Sequence, residues 1–371
     1  YMGNNSRTGY NGAETFINST SAPNLKLRWT AQTTGHISSQ PIEVNGMIYW
    51  GSWDGLMHAT NATTGQDNWA TQLGTKIGSC GKQSFGVQGT AVIASVSING
   101  TPTEAVFVAG GQDNLYALNA STGSILWQTN LGNSTAELIY GSPAVYNGSV
   151  YIGVSSSGDC PLIQGIMYQV SVSSGTIQHT FDFVPNGCIG VGIWDAPAID
   201  ESTGMLYVGT GNADPINCKT TEPLGSAIVE LNTSNLSQVS AWQFTSNGAT
   251  DNDIGSTPTL FNATIGGSSR AMVGLESKDG NFYAFDRTNI SAGPLWKATV
   301  SAGGGNPVTG GSSISTSAYD GSKLYVAGGN TTINGSSCQG GLRALDPNTG
   351  NFLWEACLSG PVLGGVIAVP G

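Results

Sequence analysis

Five side chains that could support redox chemistry fall in three short segments of this sequence. They are Trp194 and Asn212 in IWDAPAIDESTGMLYVGTGN, Asp251 and Asp253 in ATDNDIGSTPTLF, and Lys278 in LESKDGNFYAFDR. A planar aromatic ring, a neutral oxygen donor, carboxylates and a cation are what an anionic planar quinone with a hard metal ion would need. This reading requires the three segments to meet in the folded chain.

The residues present argue against several other chemistries. His36, His58 and His179 are scattered and no G-x-S-x-G occurs, so Ser-His hydrolysis is disfavoured. H-E-x-x-H, a Walker loop and G-x-G-x-x-G between strand and helix are absent, and nothing singles out a pair of acids for glycoside cleavage. A net charge of −11 with 12 Lys and Arg argues against a nucleic-acid partner.

A repeat that ends in tryptophan predicts the elements that carry these side chains. Four copies have an apolar strand, a Thr-Gly or Ser-Gly turn, and an anchor residue four positions after the Gly, and two looser copies that end at Trp242 and Trp296 have a longer turn. The anchors are Trp69, Trp127, His179, Trp242, Trp296 and Trp354. They lie 52 to 63 residues apart, which is room for four short strands. With 54 Gly and 9% charged residues, the pattern predicts an all-β propeller of four-stranded blades.

One repeat predicts the layout of a blade. Its strands A, B, C and D are predicted at 142–148, 149–154, 165–173 and 176–184 in that order. In such a blade the D–A and B–C connections lie at one face of the disc, so the three segments should converge near the axis. Asp54 and Asp113 occupy equivalent B–C turns and are interpreted as turn formers.

The two ends of the chain are predicted to close one further blade. We expect a single domain with an N-terminal extension at 1–23, a closing strand at 24–32 that includes Trp29, full blades over about 33–359, and the first strand of the closing blade at 360–371. Seven blades are expected, or eight if the chain continues. Because two strands of the closing blade are missing, we expect the natural chain to extend beyond residue 371.

The repeat closely resembles that of the propellers of pyrroloquinoline-quinone (PQQ) dehydrogenases, a family that includes soluble polyvinyl-alcohol dehydrogenases. In the IWD…LYVGTGN stretch, the resemblance implies that Trp194 stacks beneath PQQ and Asn212 binds Ca²⁺. It further implies that Asp253, or alternatively Asp251, is the catalytic aspartate, that Asp253 also contacts the metal, and that Lys278 contacts the quinone oxygens.

The sequence departs from that family at three points. The third metal ligand is a glutamate in the family, and the nearest candidate here is the shorter Asp159. The adjacent Cys-Cys pair of many members and a C-x-x-C-H haem site are both absent, so no haem is expected. Structural roles remain open for the candidates: blade packing for Trp194, and turn or capping positions for Asn212, the two aspartates and Lys278.

Six cysteines and thirteen N-x-S/T sequons predict an oxidising, extracytoplasmic and glycosylated setting. We expect disulfides Cys160–Cys188 and Cys338–Cys357, because each pair flanks strands of one blade, and then Cys80–Cys218 by elimination. The sequon asparagines are Asn4, Asn18, Asn61, Asn99, Asn119, Asn133, Asn147, Asn232, Asn235, Asn262, Asn289, Asn330 and Asn334.

Two functions are consistent with this sequence. The first is a secreted PQQ- and Ca²⁺-dependent alcohol or polyol dehydrogenase, which would need a small alcohol or polyol and an external electron acceptor. The alternative is a non-catalytic extracellular propeller that binds surface proteins or glycans or acts in assembly. No transmembrane segment is predicted.

Overall fold

The computed structural model describes residues 4–132, 135–214, 218, 222–244 and 251–371. Six antiparallel sheets follow one another along these residues, five with four strands and one with a short fifth strand, which confirms the all-β prediction. The chain runs through each sheet in order from strand A to strand D. We call the sheets blades 1 to 6.

The first three blades span residues 42–182. Blade 1 contains β1 (Ile42–Val44), β2 (Met47–Gly51), β3 (Leu56–Asn61) and β4 (Asp67–Gln72), and is followed by a hairpin of β5 (Lys76–Ile77) and β6 (Ser84–Phe85). Blade 2 contains β7 (Val92–Ile98), β8 (Thr101–Ala109), β9 (Asn114–Asn119) and β10 (Ile125–Asn130). Blade 3 contains β12 (Ala144–Tyr146), β13 (Ser149–Ser156), β14 (Ile166–Ser171) and β15 (Ile177–Asp182), with the short β11 (Glu137–Leu138) paired to β13.

The other three blades span residues 198–358. Blade 4 contains β16 (Ala198–Asp200), β17 (Met205–Gly209), β18 (Ala227–Asn232) and β19 (Gln238–Gln243). Blade 5 contains β20 (Thr259–Ile265), β21 (Ser268–Glu276), β22 (Asn281–Asp286) and β23 (Trp296–Thr299). Blade 6 contains β24 (Ala318–Tyr319), β25 (Leu324–Gly328), β28 (Gly340–Leu345) and β29 (Phe352–Leu358), with the hairpin β26 (Thr331–Ile333) and β27 (Ser336–Cys338). Single 3₁₀ turns occur at Ala22–Asn24, Ile290–Ala292 and Pro307–Thr309.

Neighbouring blades pack face to face around an axis. The first strands of blades 2 to 6 contact one another in sequence order, which makes strand A the inner strand. Each seam between blades holds its own apolar cluster, such as Phe107, Ile152 and Val170 between blades 2 and 3. Burial of both faces explains why strands B and C consist of near-continuous apolar residues. The strands predicted for blade 3 agree with β12 to β15 within a few residues.

Tryptophan anchors on blades 1, 2 and 5 connect each of these blades to the next, as the repeat predicts. The indole N–H of Trp69 donates to the carbonyl of Ala120, and that of Trp127 donates to the carbonyl of Val172, both at 2.9 Å. The rings cover the turn glycine of the following blade, because a Cβ on Gly175 would lie 2.8 Å from Trp127. His179 is exposed, so the substituted anchor does not dock in this way.

Replacing Trp127 with alanine should lower the free energy of unfolding by about 3–5 kcal/mol, because it empties a buried site and leaves the Val172 carbonyl unpaired. Trp354 is 42% exposed, so Trp354→Ala serves as the control and should cost much less. Urea unfolding of both variants measures the difference. Equal losses would contradict the docking role of Trp127.

Hydroxyl side chains line the axis two residues before strand A in four of the six blades, at Thr90, Ser142, Thr257 and Thr316. The backbone N–H of Gln40 donates to Thr90 Oγ1, that of Thr90 to Ser142 Oγ, and that of Thr257 to Thr316 Oγ1. Ala196 occupies the equivalent position in blade 4, and its N–H donates to Thr257 Oγ1. We call this arrangement the hydroxyl belt. It links the inner strands of blades 1 to 3 and those of blades 4 to 6, and no such link joins blade 3 to blade 4 among the described residues.

The segment predicted as an N-terminal extension crosses the inner strands. The carbonyls of Asn5, Ser6 and Thr8 accept the N–H groups of Ile199, Leu260 and Tyr319 from blades 4, 5 and 6. The Arg7 side chain is buried and donates to the carbonyls of Pro143 and Pro197. This segment therefore covers the axis at the end of strand A, opposite the face where strand A begins.

The predicted closing strands are not seen as strands. Residues 24–32 and 360–371 are all described. Asn24 ends a 3₁₀ turn, and the rest of the two segments contains no helix or strand and only one isolated bridge, which joins Ala368 to Tyr10. A strand is defined by a ladder of bonds to a neighbour, and neither segment forms one with the described residues. Trp29 nevertheless docks as an anchor, since its indole N–H donates to the Ala62 carbonyl at 3.0 Å. Closure by these segments, and the number of blades, stay predictions.

The disulfide pattern corrects two of the three expected pairs. Cys338 is bonded to Cys357 as predicted, but Cys80 is bonded to Cys160 and Cys188 to Cys218. The predictions Cys160–Cys188 and Cys80–Cys218 are therefore wrong. They assumed that loops at one face pair within a blade, whereas same-face loops of neighbouring blades approach just as closely.

Some sequons have a structural role at the C–D turns. The side-chain oxygen of Asn61 accepts the N–H groups of Thr63 and Thr64, and Asn119 makes the same turn in blade 2. Asn-x-Ser/Thr suits such a turn without any glycan. Asn133 lies outside the described residues. Glycosylation of the sequons stays a prediction.

Glu276, at the end of β21, is fully buried beside Ser313, and burial raises its pKa to about 8 because the Ser313 hydroxyl and the Arg343 charge offset burial only in part. A carboxyl whose pKa is higher in the folded than in the unfolded state stabilises the fold below the unfolded value near 4.5, and this contribution is lost as pH rises towards 8. In the native protein, the free energy of unfolding should therefore decline with rising pH by up to about 1.4 kcal/mol per pH unit, and Glu276→Gln should remove this decline. Urea unfolding of both proteins at pH 5, 6.5 and 8 checks this, and parallel pH profiles would contradict it.

Candidate functional site

A cavity of about 360 Å³ lies at the face where the D–A and B–C connections meet. Its lining includes all six candidate residues, namely Asp159, Trp194, Asn212, Asp251, Asp253 and Lys278. They come from connections of blades 3, 4 and 5. The convergence expected from the blade geometry is therefore present.

Trp194 lies just before β16 and separates this cavity from a second one of about 260 Å³ on the axis. The indole is half-buried and its N–H donates to Asp253 Oδ2 at 3.1 Å. A Cβ on Gly255 would lie 1.9 Å from the Trp194 ring, so the close approach requires glycine there. The ring thus forms a wall of the cavity.

Gly255→Ala should displace the Trp194 ring and weaken binding of a planar ligand in the cavity by about tenfold or more, since the Cβ overlaps the indole. Gly360→Ala is the control, because a Cβ at Gly360 meets no described atom within 4 Å. Fluorescence titration with PQQ compares both variants with the native protein. Unchanged affinity in a folded Gly255→Ala variant would mean that the indole plane does not contribute to binding.

Lys278 is the cation at the centre of the site. Its Nζ lies 2.5 Å from Asp253 Oδ1 and 2.9 Å from Asp251 Oδ1, and 5.1 Å from the centre of the Trp194 ring. The Lys278 side chain is 12% exposed and that of Asp253 is 8% exposed, whereas Asp251 is open to solvent. The pair Lys278–Asp253 is therefore largely removed from water.

Burial and charge separate the two aspartates. Burial raises the pKa of Asp253 to about 7, although Lys278 opposes this effect. Burial also acts to raise the pKa of Asp251, but hydrogen bonds from Asn212 and Lys278 outweigh this effect and hold the pKa of Asp251 below the ordinary value. Burial acts to lower the pKa of Lys278, and the charge of Asp253 more than compensates, so that the lysine pKa is raised. Asp253 is thus the carboxyl whose proton affinity lies near neutral pH.

Asn212 lies between two carboxylates of neighbouring loops. Its Nδ2 is 3.0 Å from Asp251 Oδ1 and 3.4 Å from Asp159 Oδ2. Its Oδ1 is buried and has no hydrogen-bond partner among the residues that the structure describes. Amide and carboxylate oxygens are the ligands of Ca²⁺, and an unsatisfied buried oxygen is costly unless a ligand uses it. Rotation of the Asn212 amide by 180° would turn Oδ1 towards the two carboxylates, and the resulting donor set would fit a hard cation.

Asp251 rather than Asp253 is the aspartate that contacts Asn212, because Asp253 is engaged by Trp194 and Lys278. A metal role for Asp253 stays a prediction. One further group of potential ligands, Cys188, Cys218 and Glu222, is not available as a thiolate site since its sulfur atoms form a disulfide.

Sequence reasoning missed Tyr140 and Gly255. Tyr140 lines both cavities, and burial together with the charge of Asp159 raises its pKa to about 12. It lies two residues before Ser142 of the hydroxyl belt, a position whose importance a single sequence does not reveal. The signal for Gly255 was present, because it lies two residues after Asp253 and four residues before β20, the strand A of blade 5.

Comparisons with known proteins agree with the predicted propeller fold. A family model described as "Glucose/ethanol/alcohol dehydrogenase, beta-propeller domain" matches residues 185–299, and one described as "Outer membrane protein assembly factor BamB" matches residues 89–240. A polyvinylalcohol dehydrogenase of Sphingopyxis sp. (strain 113P3) is 26% identical over 90% of this chain and 55% of its own length. The chain resembles the PQQ-type β-propeller family, which the two models together match over residues 89–299.

Other relatives of this PQQ-type propeller carry quinoprotein names. A quinohemoprotein alcohol dehydrogenase of Comamonas testosteroni is 24% identical over 74% of this chain and 42% of its own length. A europium-containing methanol dehydrogenase superposes with a TM-score of 0.79 at 17% identity, over 99% of this chain and 80% of its own, and shows the shared fold. The chain spans about half the length of the curated relatives it matches.

No helix among the described residues of the PQQ-type propeller is both long and apolar enough to cross a membrane. The first of the two matching family models covers Trp194, Asn212, Asp251, Asp253 and Lys278. The match therefore includes the segments that line the cavity on blades 4 and 5.

Proposed function

We propose that this chain forms the catalytic propeller of a secreted alcohol or polyol dehydrogenase that uses PQQ and a hard cation such as Ca²⁺. The observation that carries the proposal is the convergence of six side chains from three blades on one cavity. Relatives named polyvinylalcohol and quinohemoprotein alcohol dehydrogenases support the reaction class. Three disulfides support an oxidising compartment.

The residues divide into three tasks. Trp194 offers a flat apolar wall and Lys278 a cation, which together suit a planar polyanion. Asn212, Asp159 and Asp251 offer oxygen atoms for the cation. When bound, PQQ would supply the two-electron acceptor that the side chains of this chain lack.

Asp253 is proposed as the general base for the substrate hydroxyl. Its pKa near 7 allows it to accept a proton at neutral pH, and the Trp194 N–H and the Lys278 ammonium fix both of its oxygens. Loss of the hydroxyl proton favours transfer of hydride from the alcohol carbon. The electrons then need an external acceptor.

Binding and turnover test this proposal. Purified protein is mixed with micromolar PQQ and with Ca²⁺, the quinone absorbance is followed after gel filtration, and dye reduction is measured with primary and secondary alcohols and a polymeric polyol. We expect retained quinone, and dye reduction that a chelator abolishes. Protein that retains no quinone under these conditions would overturn the proposal.

The match to the assembly-factor model favours a second candidate, a propeller that binds other surface proteins without catalysis. This candidate predicts neither quinone binding nor dye reduction. It also gives no reason for a buried Lys278–Asp253 pair beside an unpartnered Asn212 oxygen. The same titration therefore separates the two functions.

A further inference from the structure

Asp159 lies in an exposed loop that has little support of its own. The loop connects β13 to β14 in blade 3, and Gly158, Asp159 and Cys160 are all exposed. Asp159 has φ +63°, a backbone conformation that is uncommon outside glycine, and its Oδ1 accepts the Ser156 hydroxyl at 2.6 Å. Ser156 ends β13 at the base of the loop, so contacts with residues outside the loop add to what holds this carboxylate towards Asn212.

The Cys80–Cys160 disulfide supplies that support. Cys160 directly follows Asp159, and Cys80 lies in the turn of the β5–β6 hairpin, 80 residues earlier and outside blade 3. The hairpin also packs on the loop, because a Cβ on Gly78 would lie 2.6 Å from Ser157 Oγ and one on Gly158 would lie 3.1 Å from Cys80 Sγ. The disulfide therefore fastens the Asp159 loop to the connection between blades 1 and 2.

We propose that Cys80 and Cys160 are positioning residues of the cation site: their disulfide holds Asp159 beside Asn212 and so sets the affinity for the cation. The inference rests on the proposed function, since it takes Asp159 as a ligand. Groups that orient a metal ligand commonly change metal affinity by about 10–100-fold when they are removed. Without the disulfide, the Asp159 carboxylate becomes ordered only when the cation binds, and this ordering reduces the free energy of cation binding.

The chain provides a matched control. Cys338 and Cys357 join β27 to β29 within blade 6, and neither lines the cavity. A general loss of stability from removing a disulfide should affect both pairs. A loss of cation affinity should affect only the Cys80–Cys160 pair.

The test compares Cys80→Ser/Cys160→Ser with Cys338→Ser/Cys357→Ser and the native protein. Cation affinity is measured with Ca²⁺ by calorimetry and with Eu³⁺ by luminescence, and circular dichroism reports folding. We expect affinity to fall by about tenfold or more in the first variant and by less than twofold in the control. Hydrogen exchange of residues 155–165, measured without added cation, should be faster in the first variant alone.

Reduction of the native protein provides a second route if the variant does not fold. Cys80 and Cys160 are exposed whereas Cys338 is buried, so dithiothreitol should reduce the first pair earlier. The reagent is oxidised to its cyclic disulfide, and two electrons and two protons pass to the two cysteine sulfurs. Thiol labelling identifies the reduced pair, and cation affinity should fall with its labelling.

Three outcomes are distinct. Weaker binding that is confined to loss of the Cys80–Cys160 disulfide supports the inference. Native affinity in a folded or selectively reduced protein without this disulfide overturns it and leaves the proposed function intact. Failure of the native protein to bind any cation overturns the proposed cation site, and the inference with it.

Discussion

Asp253→Asn should lower kcat for alcohol oxidation by about 10²–10⁴-fold while affinity for PQQ changes little. An amide cannot accept the hydroxyl proton, which removes general-base catalysis. Its oxygen can still accept the Trp194 N–H, which lies 3.1 Å from the carboxylate in the native protein. Dye reduction at saturating alcohol, together with a PQQ titration, measures the two effects separately.

Asp346→Asn is the matched control for this substitution. Asp346 accepts the N–H of Asn348 in the C–D turn of blade 6, and asparagine makes the same turn at Asn61 and Asn119. This variant should retain full activity. If Asp253→Asn stays within tenfold of the native rate and Asp251→Asn does not, Asp251 is the base instead.

Lys278→Met should lower the free energy of unfolding by about 3 kcal/mol, because it leaves Asp253 buried without its counter-charge. It should also abolish binding of an anionic quinone at micromolar concentration. Lys297→Met is the control: Lys297 is exposed, with its Nζ 5.8 Å from the centre of the Tyr283 ring, and should cost less than about 1 kcal/mol. Urea unfolding monitored by tryptophan fluorescence checks both values.

The double variant Lys278→Met/Asp253→Asn separates the lost attraction from the cost of an unpaired charge. Removal of the carboxylate together with its partner should recover more than half of the lost stability, without recovery of quinone binding. Additive losses in the double variant would show that the two side chains act independently.

The sequence predicted those parts of the fold that depend on local repetition. The anchors Trp69 and Trp127 follow a turn glycine at a fixed spacing. The alternating direction of strands A to D places the D–A and B–C connections of every blade at the same face. That geometry alone brought Trp194 and Lys278 to one cavity from different blades. Residues that act through a repeat are therefore visible in a single sequence.

Other features depend on contacts between distant segments and leave no local trace. Nothing near Arg7 indicates that it packs beneath Pro143 and Pro197. Cys160 lies at a face where loops of its own blade and of other blades are both within reach. Its pairing with Cys80 therefore could not be derived from the face of the propeller on which the cysteines lie. The hydroxyl belt lies between these cases, because Thr90 and Ser142 precede their strands by the same spacing but require a blade alignment to be noticed.

The hydroxyl belt also has a gap beside the cavity. Its links join blades 1 to 3 and blades 4 to 6, but Ala196 carries no hydroxyl that could accept the N–H of Ser142. The inner strands of blades 3 and 4 therefore meet without this link at the place where Trp194 separates the two cavities.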